Sequence, residues 1–230
     1  MRYMIAEGSW SMVGLSVALK EKGILLTRCE QPEDLLLYLE TCQTDLLVLD
    51  ADNLQHETFT LKDLRLRFPE LAIAVLQQTP EPEFIVRALD HGADAVLDHC
   101  APLEEMSARL QALARRRHGL AHSKLVFGPF EIDIDLRMVS IHGETIKLTP
   151  KLYELMEYLA LRPRQLVSRS ALLGHVYGLN DEPNTRVFDV YMCNLRSMLK
   201  ATDGEVEIET VRGAGFRLHV PDVPEDEVAA

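Results

Sequence analysis

The 230-residue sequence predicts an α/β chain of two domains, a doubly wound parallel sheet followed by a smaller body of helices and short antiparallel strands. Three observations carry this expectation. Five short apolar runs alternate with amphipathic stretches in the first half, a polar, Arg-rich break falls at 114–123, and the second half runs through short alternating segments into three helical stretches and a glycine-bearing hairpin.

In the first half, residues 3–6, 24–26, 46–49, 71–76 and 95–97 read as buried strands, each bounded by polar residues or glycine. Between them, 32–39 (Leu35, Leu36, Leu39) and 103–113 (Met106, Leu110, Leu113) carry the i, i+3, i+4 spacing of amphipathic helices. Alternating βα units build a parallel sheet covered on both faces, and ligands gather at the C-terminal ends of its strands. That directs attention to Glu7, Gly8 and Ser9 after the first strand, Asp50 after the third, Gln77 after the fourth, and His99 with Cys100 after the fifth.

The run Ala-Arg-Arg-Arg-His-Gly-Leu-Ala-His-Ser at 114–123 ends the last helix with cations, which suit the negative end of the helix dipole, and then turns polar. It divides the chain into a domain at 1–117, a linker at 118–123, a second domain at 124–220 and an acidic tail at 221–230. Arg115 to Arg117 read as a solvated helix end.

Beyond the linker, 125–127, 130–134, 138–141 and 145–148 form a small antiparallel sheet punctuated by Gly128, Pro129 and Gly143. Thr149 and Pro150 open a helix as N-cap and first-turn proline, Ser168 caps a second, and 183–200 makes a third. Segments 205–210 and 216–220 close the domain as a hairpin with its turn at 213–215. Three helices and a hairpin in that order describe a winged helix, a helix-turn-helix variant.

The formal net charge is −12, which argues against nucleic acid only if it is evenly spread. It is not: residues 1–117 hold twelve basic and nineteen acidic side chains, 118–220 twelve and thirteen. No run is long and apolar enough for a spanning helix, nothing at the start resembles a signal peptide, and the four cysteines (Cys29, Cys42, Cys100, Cys193) are far apart. A cytoplasmic protein without a membrane partner, structural zinc or disulfide framework is expected.

On the third helix, Phe188, Met192, Leu195 and Leu199 fall on one face, with Arg186, Val190, Cys193, Ser197 and Lys200 opposite and Asn194 flanking. Short, polar and basic side chains suit a helix entering the major groove, where cations hold phosphates and compact groups meet base edges. The hairpin adds Arg212 and Arg217 beside a tip that Gly213 and Gly215 permit. Glu205, Glu207 and Glu209 alternate before it and are expected on one face, turned from phosphate.

Leu148-Thr149-Pro150, Val167-Ser168-Arg169, Val176-Tyr177-Gly178, Arg186-Val-Phe-Asp-Val190 and Thr210-Val-Arg-Gly-Ala-Gly-Phe-Arg-Leu218 together resemble the effector domain of OmpR/PhoB-type response regulators, across residues 124 to 220. The phrase from Tyr177-Gly178 through Asp181-Glu182-Pro183, with Asp189-Val190 and Cys193-Asn194-Leu195-Arg196, is further similar to the CtrA-like alphaproteobacterial regulators. The resemblance implies that Arg186 and Arg196 contact phosphates, Val190 packs on a thymine methyl, and Thr210 and Arg212 touch backbone or minor groove. Asn194 stands where many members read a base with Arg, and Asn prefers adenine where Arg prefers guanine. Tyr191 and Cys193 replace a frequent His and Arg.

The first half then resembles a receiver (flavodoxin-like) domain, with Asp45-Leu-Leu-Val-Leu-Asp50 ending in the aligned phosphoacceptor, Asp50. A receiver's Mg²⁺ is held by adjacent acids, which Glu7, Gly8 and Ser9 supply only in part. Gln77 replaces the Thr or Ser that bonds the phosphoryl oxygen, His99 the Lys that pairs with it, and Cys100 the following Pro. The pocket is therefore expected to be degenerate and Asp50 unused. A transition ion bound by His99 and Cys100 with Glu7 and Asp50 is disfavoured, because neighbours on a strand face opposite ways.

The family dimerises on its fourth helix, fifth strand and fifth helix, where Glu105 and Arg109 match charged positions and Ala95 replaces a usual Asp. The expected protein is a non-enzymatic transcriptional regulator that binds double-stranded DNA as a homodimer, has RNA polymerase as a further partner, and needs no cofactor or metal. An ordinary regulator activated at Asp50, a small enzyme using Asp50 and His99, and a protein-binding adaptor are the alternatives. No Gly-rich phosphate loop or nucleophile elbow supports the enzyme.

Overall fold

A computed structural model describes residues 1–6, 10–55, 58–178 and 185–221, the side chains of 10, 11, 55, 185 and 186 excepted. Glu7, Gly8 and Ser9, the stretch 181–184 and the acidic tail beyond 221 lie outside the described residues. The chain divides into two compact units, Met1–Ala121 and His122–Ala230.

The first unit runs β1 (Arg2–Ala6), α1 (Trp10–Glu21), β2 (Leu25–Cys29), α2 (Leu35–Thr41), β3 (Leu46–Asp50), α3 (Leu61–Arg67), β4 (Ala72–Gln77), α4 (Pro82–Asp90), β5 (Ala95–Asp98) and α5 (Leu103–Arg117). Its five strands are parallel, in the order β2-β1-β3-β4-β5. Every residue of β1 and β3 is buried, the reason these strands read as unbroken apolar runs rather than alternations. Residues 32–34 form a separate 3₁₀ turn, so the helix expected at 32–39 starts only at Leu35.

Arg117 departs from the solvated role expected of the helix end. Its Nη1 donates to Asp45 Oδ1 at 2.6 Å, its Nε to the Glu70 carbonyl at 3.0 Å, and His118 Nε2 lies 2.9 Å from the same Asp45 oxygen. Asp45 is buried and also accepts from the Arg2 amide at 2.7 Å. A carboxylate withdrawn from water needs such partners, and here they tie the end of α5 to the start of β3.

The second unit opens with an antiparallel sheet of β6 (Lys124–Phe127), β7 (Phe130–Asp133), β8 (Met138–Ile141) and β9 (Glu144–Ile146). There follow α6 (Pro150–Ala160), β10 (Leu166–Val167), α7 (Arg169–Tyr177), α8 (Thr185–Leu199), β11 (Glu207–Val211) and β12 (Gly215–His219), the last two strands sharing a sheet with β10 in the order β10-β12-β11. Phe130, Ile132, Val139, Met156, Leu159, Leu172, Phe188, Leu195, Val206 and Leu218 bury together as one core. Ser168 caps α7 by accepting from the Ala171 amide at 3.1 Å, whereas Thr149 occupies the N-cap of α6 without a side-chain bond. Pro150 there lacks an amide hydrogen, which lowers the demand for a cap.

The two hairpin glycines have different reasons. Gly213 has φ +73° with open space around it, as a tip requires. Gly215 is buried, and a Cβ there would come within 3 Å of the backbone of Val167 and Ser168. It lets the wing strand press against β10.

Candidate functional site

The period of α8 sets its two faces. Phe188, Met192, Leu195 and Leu199 are buried, while Val190, Cys193, Asn194, Ser197 and Lys200 are exposed, Val190 by 56%. Exposed Val187, a residue whose place on this face the sequence motif alone does not reveal, extends the outward face by a turn. An isolated exposed valine is unremarkable, but Val187 and Val190 on one face beside compact polar groups form a surface that could meet base edges and methyls. The side chain of Arg186 lies outside the described residues.

Two of the expected contacts turn inward. Tyr191 is half-buried and hydrogen-bonds Tyr177, a bond that raises its phenol pKa. Lys151 Nζ lies 3.8 Å from the centre of the Tyr177 ring, so a cation missed in the sequence belongs to the same cluster. Arg196 is likewise half-buried: its Nε donates to the Ile208 carbonyl at 2.9 Å, its Nη2 to Thr210 Oγ1 at 2.5 Å, and its guanidinium carbon is 5.9 Å from the Phe216 ring centre. It joins α8 to β11.

Arg212, on the hairpin turn, is exposed. Arg217, the other cation beside the tip, has an acidic neighbour: its Nη1 lies 3.6 Å from Glu209 Oε2, and that carboxylate also accepts from His219 at 2.9 Å. The hydrogen bond from His219 holds the Glu209 carboxyl below its ordinary range, helped by the charge of Arg217. Glu207 and Glu209 share a strand face as expected, but Glu205 precedes the strand. Arg169 pairs with Asp189 at 3.0 Å and lies 4.8 Å from the Phe188 ring centre, joining α7 to α8.

In the first unit, Asp50, Gln77, His99 and Cys100 line one cavity of about 430 Å³ at the strand ends, together with Ala51, Asp52 and Gln78. His99 Nε2 is 3.5 Å from Asp50 Oδ2, and both side chains are more than nine-tenths buried. β5 ends at Asp98, so residues 99 and 100 form a turn, and the opposite facing expected of neighbours on a strand does not apply to them. Asp98 organises that turn by accepting from the amides of Cys100 at 2.8 Å and Thr79 at 3.3 Å. These bonds, the one from Cys100 foremost, lower its pKa. Glu105 and Arg109 pair with each other on the surface of α5 at 2.7 Å.

Residues 143–218 match the family described as "Transcriptional regulatory protein, C terminal". The cell cycle response regulator CtrA of Brucella anthropi is 34% identical over 187 residues, 80% of this chain and 81% of that protein, and CtrA of Brucella abortus matches to the same extent. The structure of DrrB, an OmpR/PhoB homologue of Thermotoga maritima, covers 95% of this chain and 98% of its own at 20% identity and a TM-score of 0.43. The 187 matched residues exceed the length of the second unit, so the CtrA similarity reaches into the first. With the effector match lying on the helices and hairpin that form the exposed face of α8, the chain belongs to the DNA-binding response regulators of the OmpR/PhoB type and is a homologue of CtrA.

Proposed function

We propose that the protein is a sequence-specific, non-enzymatic transcriptional regulator that dimerises through its first unit and acts without phosphorylation of Asp50. The observation that carries DNA recognition is the exposed face of α8, with Val190, Cys193 and Asn194, in the same unit as the exposed wing cation Arg212. Compact groups read base edges in the major groove, Asn194 by a bidentate bond to adenine, while Arg212 neutralises phosphate at the wing. Arg196 acts chiefly by keeping helix and wing in register, so that both meet the duplex at once.

Phosphoryl transfer to a carboxylate needs a hard cation on oxygen ligands and a permanent positive charge beside the product. The Asp50 cavity offers an imidazole nitrogen 3.5 Å from the acceptor oxygen and an amide at Gln77. Asp50 and Asp52 also line it with the carboxylate oxygens that Mg²⁺ takes, but no ammonium lines the cavity among the described residues. Dimerisation is supported by Val86 and Leu89 of α4, which are 58% and 43% exposed, and by Leu103 at the start of α5. Apolar surface left open in this way favours a partner.

A mobility-shift assay with genomic fragments and the full chain tests the reading. Retention of a subset of fragments against excess non-specific competitor is expected. No retention favours the adaptor alternative, and uniform retention contradicts sequence-specific recognition.

A further inference from the structure

In the second unit, α8 ends beside a cleft. The helix passes into a 3₁₀ turn, Lys200–Thr202, and a cavity of about 350 Å³ lies between this end and the start of β11. Its floor is apolar, formed by Leu199, Val206 and Ile208, which all belong to the core of the unit. Three charged side chains line it as well: half-buried Arg196, and Lys200 and Glu207, which are exposed. An apolar hollow with a few convergent polar groups is the usual form of a small-molecule site, and this one falls at the small end of their range of about 300–1,000 Å³.

The cleft is built before any ligand arrives. Thr202 is fully buried; its hydroxyl donates to the Leu199 carbonyl at 2.7 Å and accepts from the Val206 amide at 3.2 Å, so the chain between helix and strand is tied on both sides. Gly204, at φ +87°, turns that chain, and a Cβ there would stand 3.5 Å from Glu207 Oε1, which places the carboxylate over the turn. No ion pair joins Lys200 to Glu207 among the described residues. Arg196 donates to neutral acceptors, the Ile208 carbonyl and the Thr210 hydroxyl, so neither cancels its charge. Two cations facing one carboxylate leave the cleft positive on balance.

We propose that this cleft binds a small amphipathic monocarboxylate, with the carboxylate held by Lys200 and Arg196 and the apolar body laid on Leu199, Val206 and Ile208. Charge sets the class: two cations hold one carboxylate, while Glu207 repels a second, so a dicarboxylate is rejected. A carboxylate takes guanidinium donors more strongly than a carbonyl or a hydroxyl does. Occupancy therefore draws Arg196 away from Ile208 and Thr210 and loosens α8 from the wing strand, which gives the second unit an input separate from the Asp50 cavity. The effect of that input on DNA affinity rests on the proposed function; the site itself does not, because its test reads ligand.

The test is titration of the isotope-labelled full chain with phenylacetate, followed by nuclear magnetic resonance. Saturable shifts are expected at the amides of 196–208 and at the side-chain Nε–H of Arg196, which donates to Ile208 in the free protein. Phenethyl alcohol, which lacks the charge, and glutarate, which carries two, should each bind about fivefold more weakly or worse. Lys200→Ala should weaken phenylacetate about fivefold, Lys200→Arg should restore it, and Glu207→Gln should admit glutarate. Lys200 and Glu207 are exposed, so these variants keep the fold, as circular dichroism checks. Lys124→Ala, which removes an exposed cation from β6, should leave the affinity unchanged. Wild-type affinity in Lys200→Ala, equal binding of the alcohol, or shifts that never saturate would mean non-specific association and overturn the inference, as would an Arg196 Nε–H that does not move.

Discussion

Arg196 of the third helix of the winged unit donates to Thr210 of the wing strand at 2.5 Å and, from a second nitrogen, to the Ile208 carbonyl at 2.9 Å. A guanidinium anchored at two points on one strand fixes the angle between helix and wing. Lys offers a single rotatable group and cannot reproduce that fork. Arg196→Ala and Arg196→Lys should both lower stability in urea unfolding, by about 1–3 kcal/mol for the alanine. A double-mutant cycle with Thr210→Ala should return a coupling near 1 kcal/mol. Were Arg196 engaged only with phosphate, the free protein would be as stable in both variants as in the wild type.

The second unit has its own core, from Phe130 to Leu218, so residues 118–230 should fold alone and bind a single DNA site. Binding to a paired site should weaken, because the fragment loses the avidity of two linked modules. Circular dichroism and a mobility shift on one- and two-site duplexes check this. An unfolded fragment would mean that the unit borrows its stability from the first.

In metal-free buffer, Asp50→Ala should leave dimerisation, measured by analytical ultracentrifugation, and DNA affinity near wild type. Acetyl phosphate with Mg²⁺ should not label the protein. An aspartyl phosphate carries about two negative charges, and the cavity offers Gln77 and His99 in place of a hydroxyl and a permanent ammonium. Stoichiometric labelling at Asp50 that tightens DNA binding would return the chain to phosphorylation-activated regulators.

The cysteines should sort by burial. Cys29 and Cys42 are buried and Cys100 and Cys193 exposed; burial pushes the Cys29 thiol up to about 11 and raises that of Cys42. Since the thiolate is the nucleophile, iodoacetamide at pH 8 should label two cysteines in the native protein and four in urea, counted by mass spectrometry. Cys29 also carries a pH dependence of known sign. Its folded pKa lies above the unfolded one, so its contribution to stability is complete below about pH 9 and is lost as the pH rises toward 11.

The fold was legible where period and burial coincide. The apolar stripe of α8 marked both its core side and its exposed side, and the continuous runs of β1 and β3 marked a sheet covered on both faces. Roles that depend on a distant partner were not legible. A cation at the edge of α8 looks the same in sequence whether it meets a phosphate or Thr210, and Arg117 at a helix end gives no sign of Asp45 far away in the chain. Gly215 read as a turn residue because the approach of Val167 comes from another segment, and β10 is too short to show any period. The His99 cavity was found by strand order, but its geometry depended on β5 stopping at Asp98.

The central claim, that α8 and the wing together bind DNA, is tested most directly by fluorescence anisotropy of the full chain on a retained duplex across a salt series. Arg212→Ala should weaken binding to all sequences alike and reduce the salt slope by about one phosphate contact. Asn194→Ala should keep the slope and relax preference at one base pair, at a cost of about 1–3 kcal/mol. Affinity, slope and base preference unchanged in both variants would contradict the account.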